Sequence, residues 1–70
     1  MKKFSENLKS ARKKIGLSQK QLADKLNVAT STIGSWENNL RTPKIHTFIL
    51  VAKALDVSCD FLLGLQQIKK

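Results

Sequence analysis

Seventy residues with a single cysteine, Cys59, make one domain that no internal disulfide can staple, so its stability must come from packing and helix capping. Thirteen Lys and Arg against five Asp and Glu give a formal charge of +8, and seven of those cations fall within the first twenty residues: Lys2, Lys3, Lys9, Arg12, Lys13, Lys14 and Lys20. No apolar run reaches the roughly 18 residues a membrane span needs, and no apolar segment backs the N-terminal lysines as a signal peptide requires. The expected compartment is the cytoplasm, and a field this positive favours polyanions.

Phe4, Leu8, Ala11 and Ile15 recur at i, i+4, i+7 and i+11, which predicts an amphipathic first helix stopped by Gly16. Ser18 with Gln21 three residues on reads as a capping box opening a second helix, whose stripe is Leu22, Ala23 and Leu26. Asn27 suits the left-handed turn that ends it, and Val28 plugs the turn. Asn38 and Asn39 end a third helix. Thr42-Pro43 reads as the start of a fourth, with Ile45, Phe48, Ile49, Ala52 and Leu55 as its stripe. Ser58 caps a short fifth helix that buries Phe61, Leu62 and Leu63 and stops at Gly64. No strand alternation and no repeat is present. The reading is an all-α chain of five helices, with residues 1–66 as the domain and 67–70 as a short tail.

The stretch Ala29 to Glu37, ATSTIGSWE, is unusual. On a helical wheel over residues 29–40, Ala29, Ile33, Trp36 and Leu40 cluster on one side. Thr30, Ser31, Gly34, Ser35 and Asn38 cluster opposite, a face without charge or bulk where a merely soluble helix would carry Lys and Glu. Small hydroxyls suit close approach to another surface, and base edges of a DNA major groove offer them donors, acceptors and thymine methyls. Two short helices joined by a tight turn, the second with an outward polar face, make a helix-turn-helix.

Taken together, LSQ-x-x-LA, I-x-x-WE, the later Pro43 and the A-x-x-L of the fourth helix resemble the DNA-binding domain of phage Cro and repressor proteins and their bacterial relatives. The likeness runs through FILVAKALDVSCDFLLGL and covers nearly the whole chain. It implies a compact five-helix, lambda-repressor-like fold and a sequence-specific double-stranded DNA-binding regulator, most simply a repressor. The resemblance gives Thr30, Ser31 and Ser35 the role of reading bases. Gln19, Asn38 and Arg41 take positions near the DNA backbone, and Lys20 joins them by location. Arg12 and Glu37 match an ion pair joining the first helix to the end of the third. This chain departs from the pattern at Asn27 and Asn39, where glycine is frequent, and at Ala29, where Ser or Thr usually caps the third helix; Thr30 offers itself as a substitute cap. Its short Thr30 and Ser31 replace longer side chains, which shifts specificity toward thymine methyls, water and DNA shape.

One such helix covers a short half-site, so a homodimer on a pseudo-palindromic operator is expected, with Leu65 and Ile68 as candidate dimer residues. The alternative reading is a protein-interaction module on the same fold, such as an antitoxin or a partner-controlled regulator. Trp36 reads as core by its phase, with an indole N–H in need of a partner. His46 and Cys59 stand outside any metal-ligand spacing. No nucleophile–base set, paired carboxylates or phosphate-cradling loop is present. The expectation is therefore no enzyme, no metal, no cofactor, no membrane contact and no evident small-molecule ligand.

Overall fold

Two of the helices begin on a serine cap, and left-handed residues end three of them. The computed structural model describes residues 2–65, which form α1 (Lys2–Lys14), α2 (Gln19–Leu26), α3 (Thr30–Glu37), α4 (Ile45–Leu55) and α5 (Cys59–Leu63), with no strand among them. Ser18 caps α2 through a complete capping box: its hydroxyl accepts from the Gln21 amide at 3.0 Å, and Gln21 Oε1 accepts from the Ser18 amide at 2.8 Å. Ser58 caps α5 by its hydroxyl alone, which accepts from the Phe61 amide at 2.9 Å. Asn27 closes α2 at φ 59°, and Asp56 closes α4 at φ 57°. Both residues occupy the left-handed region, and the turn amides that follow bond back into the helix (Val28 N–H to Ala23 O, Val57 N–H to Ala52 O, each 3.0 Å).

The core is drawn from all five helices. Phe4, Leu8, Leu22, Ile33, Val51, Leu55 and Leu62 are fully buried, and the Phe4 and Phe48 rings tilt against one another with centroids 5.4 Å apart. α2 packs on α3 as the helix-turn-helix, α1 packs on both α3 and α5, and α4 packs on α2 and α5. Asn7 Nδ2 donates to the Phe61 carbonyl at 2.8 Å, tying α1 to α5.

Several expected core positions are not core. Ile15 lies beyond the end of α1, where Gly16 at φ 78° turns the chain, and it is exposed. Leu40 also lies past its helix: α3 stops at Glu37, Asn39 turns at φ 60°, and Leu40 points out at 74% exposure. α4 starts at Ile45 with Lys44 in the cap position, two residues later than Thr42-Pro43 suggested, and Pro43 stays in the extended loop. Its buried face is rotated toward Val51, leaving Ile45 and Ile49 exposed. Leu63 likewise sits at the surface of α5, and Phe61 is half-buried. Thr30 does not replace Ala29 as the cap of α3; Ala29 holds that position and makes no side-chain cap bond.

Candidate nucleic-acid interface

A buried polar node fixes the angle between the helices that form the site. Arg12, at the end of α1, reaches the far end of α3: Nε donates to Glu37 Oε2 at 2.6 Å and Nη2 to Glu37 Oε1 at 3.0 Å. The remaining arm, Nη1, donates to the Leu17 carbonyl at 2.7 Å, in the turn ahead of α2. Gln19, the first residue of α2, adds a fourth bond from Nε2 to Glu37 Oε1 at 3.1 Å. The Arg12 side chain is 9% exposed and that of Glu37 is 2% exposed. Hydrogen bonding to Glu37 raises the Arg12 pKa above its ordinary value, desolvation opposing it, so the guanidinium stays charged. A bidentate pair in which every guanidinium nitrogen makes a hydrogen bond is the form in which buried charge is tolerated.

With its interior face settled, α3 turns Thr30 and Ser31 to solvent, with Ser35 half-buried beside them. The loop after α3 is drawn back onto the same helix. The Ser35 carbonyl accepts from the Leu40 amide at 2.9 Å and the Arg41 amide at 3.3 Å, which holds Arg41 close to the helix. A cleft results, lined by Ser31, Thr32, Ser35 and Trp36 on one side and by Arg41, Lys44 and Thr47 on the other, with Val28, Thr42 and Pro43 completing it. No carboxylate lines it.

The structure therefore brings Ser31, Ser35 and Arg41 together, and leaves Thr30, Gln19, Lys20 and Asn38 outside that cleft. Gln19 is half-buried with its amide turned to Glu37. Lys20 is exposed and pairs with Asp24 one turn on at 3.3 Å, so any phosphate must compete with that carboxylate. Asn38 is exposed at the C-cap of α3. Lys44 and Thr47 were not singled out by the sequence. A helix start at Thr42-Pro43 gave neither residue a role, whereas Lys44 is the extended cap residue of α4 and lines the cleft beside α3 with Thr47.

Gly34 has no partner inside the protein that requires it. A Cβ built there would meet only Gln19 Oε1, at an ordinary 4.0 Å. Gly34→Ala is expected to stabilise the fold by about 1 kcal/mol, because glycine is that much poorer than alanine inside a helix. If DNA lies against this face the same change lowers duplex affinity, and thermal melts paired with duplex titrations separate the two effects. Higher stability with unchanged affinity would show that the glycine serves no close approach.

Among the described residues no helix is long and apolar enough to cross a membrane, and no group of His, Cys, Asp and Glu has metal-binding arrangement.

Known proteins agree with this architecture. Residues 8–62 match the helix-turn-helix family. The transcriptional regulator ImmR of Bacillus subtilis is 35% identical over 67 residues, covering 96% of this chain and 53% of ImmR. The restriction-modification controller protein C.AhdI from Aeromonas hydrophila superposes with a TM-score of 0.80 at 31% identity, covering 87% of this chain and 92% of that one. SinR, a master regulator for biofilm formation solved in complex with DNA, superposes with a TM-score of 0.79 at 39% identity, covering 86% of this chain and 97% of that one. The chain spans about half the length of ImmR and of the other Bacillus subtilis regulators that it matches. With the family pattern extending over most of its residues and the α2–turn–α3 unit in place, the chain belongs to the helix-turn-helix family.

Proposed function

We propose that this chain is a sequence-specific double-stranded DNA-binding transcriptional regulator, acting most simply as a repressor, that inserts α3 into the major groove. The observation that carries the reading is the pairing of two surfaces on one helix. α3 presents small hydroxyls without charge, and the loop bonded back to it supplies Arg41 and Lys44 at the flank. In this reading Thr30, Ser31 and Ser35 meet base edges, while Gln19, Lys20, Asn38, Arg41 and Lys44 hold phosphates and set register. Two of the named relatives support it: ImmR is a transcriptional regulator and SinR a regulator crystallised with DNA. Nothing in the arrangement suggests catalysis.

Two copies on inverted half-sites about 34 Å apart, one turn of DNA, would give useful affinity. Ile49 and Leu50 of α4, Leu63 of α5 and Leu65 after it are exposed apolar side chains available for self-association; Ile68 lies outside the described residues. The same exposed apolar side chains also suit a different protein partner, and they are what keeps the protein-interaction reading in view.

Selection of bound duplexes from a random pool at moderate salt, followed by sequencing, tests the proposal. The expected result is an enriched motif with two inverted halves. Salt-sensitive retention of DNA without any enriched motif would sink specific readout. Repeating the selection with Ser31→Ala should change the preferred bases within each half while leaving non-specific affinity nearly intact. An unchanged motif would show that Ser31 faces no base.

A further inference from the structure

Trp36 presents a hydrogen-bonding problem that the fold leaves open. The residue is 4% exposed and belongs to the core with Ile33 and Leu22. A buried indole N–H ordinarily finds an acceptor, and leaving such a donor without one costs about 1–3 kcal/mol. No described residue accepts from Trp36 Nε1; the hydrogen bonds of Trp36 are made by its backbone, whose carbonyl accepts from the Asn39 amide at 3.3 Å.

The same residue forms part of the wall of the α3 cleft. The polar side chains that share this wall are the hydroxyls of Ser31, Thr32, Ser35, Thr42 and Thr47 and the cations Arg41 and Lys44. All of them can donate, and none is a carboxylate. α4 opens beside them with no side-chain cap, so its first amides are also free to donate. The cleft therefore holds two cations, hydroxyls that can turn to donate, and no anion, beside an indole that lacks an acceptor. An oxyanion, which only accepts, resolves both.

We propose that Trp36 is a DNA-backbone anchor. Its indole N–H donates to an oxygen of a phosphodiester seated in the cleft between α3 and the α3–α4 loop, with Arg41 and Lys44 neutralising the charge. This inference rests on the DNA-binding reading and adds to it a neutral phosphate contact made from the core. The ring is held by packing, so the phosphate it holds is fixed relative to α3, and with it the depth and register at which that helix meets the bases.

The test uses the fact that the chain has one tryptophan. Its indole gives a single side-chain signal in a nitrogen–proton correlation spectrum of the ¹⁵N-labelled wild-type protein. On adding a mixed-sequence 20-base-pair duplex, that signal should move downfield and its exchange with solvent should slow about tenfold or more, as for a hydrogen bond newly made. Inorganic phosphate at equal phosphate concentration and ionic strength should not reproduce the change. Trp36→Phe should weaken duplex binding about fivefold, the worth of one ordinary hydrogen bond. Its salt dependence should stay unchanged, because a neutral donor releases no counterion. Lys44→Gln, by contrast, should reduce the salt slope by about 0.9. Shifted α3 amides with an unmoved indole signal would overturn the anchor while leaving the DNA reading intact. So would a full shift with inorganic phosphate, which would make the cleft a plain anion pocket. A duplex that shifts no resonance at all would sink the DNA reading and the anchor with it.

Discussion

Arg12→Met is expected to cost about 3–5 kcal/mol, the usual result of stranding one member of a buried ion pair. Glu37 would then hold a carboxylate in a site where its side chain is 2% exposed, with the Gln19 amide as its remaining side-chain donor. The Leu17 carbonyl would lose its donor as well. A chain of this length holds only about 4–10 kcal/mol of stability in all, so the variant should be partly or wholly unfolded at 37 °C. Replacing both partners, Arg12→Met with Glu37→Leu, should recover more than half of the loss, because the stranded charge goes with its partner. Urea unfolding of the wild type, the single variant and the double variant measures all three. A single variant that loses less than about 1 kcal/mol would mean that water reaches the pair freely, contrary to its burial.

The second large effect concerns affinity. Arg41→Gln together with Lys44→Gln should weaken binding to all duplexes alike, by about tenfold or more at 0.1 M salt, and should lower the salt slope by about 2 per subunit. Both side chains line the cleft, and both are exposed at the surface, so the loss should appear in binding with the melting temperature almost unmoved. Titrations across a salt series, with duplexes that do and do not carry the selected motif, measure the slope and the discrimination together. A variant that loses discrimination but keeps its slope would place these cations against bases instead of phosphates.

The parts of the structure that could be read in the sequence are those decided within a few residues. The Ser18–Gln21 box, Asn27 and Ser58 each act on amides two to five positions away, and each stands where the local pattern places it. The outward face of α3 was legible for the same reason: Ile33 and Trp36 fix its phase, and both are buried. Contacts decided by distant residues were harder to read. Ile15 and Leu40 have the right phase for the core, but the wheel does not register that the helix has already ended beneath them. In α4 apolar residues surround most of the helix, and periodicity wrongly favoured Ile45 and Ile49 on one edge over Val51 on the other; packing against α2 and α5 decided for Val51. The bond from Gln19 to Glu37 spans 18 residues and has no local signature. Lys44 was obscured by one error of phase at Pro43.

The way the α3–α4 loop is fastened has a bearing on how this surface can change over generations. The loop hangs on the carbonyl of Ser35, and the orientation of α3 depends on Arg12, Glu37, Ile33 and Trp36. No side chain of Thr30, Ser31 or Ser35 takes part in either. Exchanging the three small residues one at a time should therefore carry little risk to folding and, on the proposed DNA-binding reading, each exchange would offer a new DNA address on an unaltered chassis. A domain of 70 residues has little stability to spare, and a surface that can change without drawing on that reserve is one whose residues are free to vary independently of the fold.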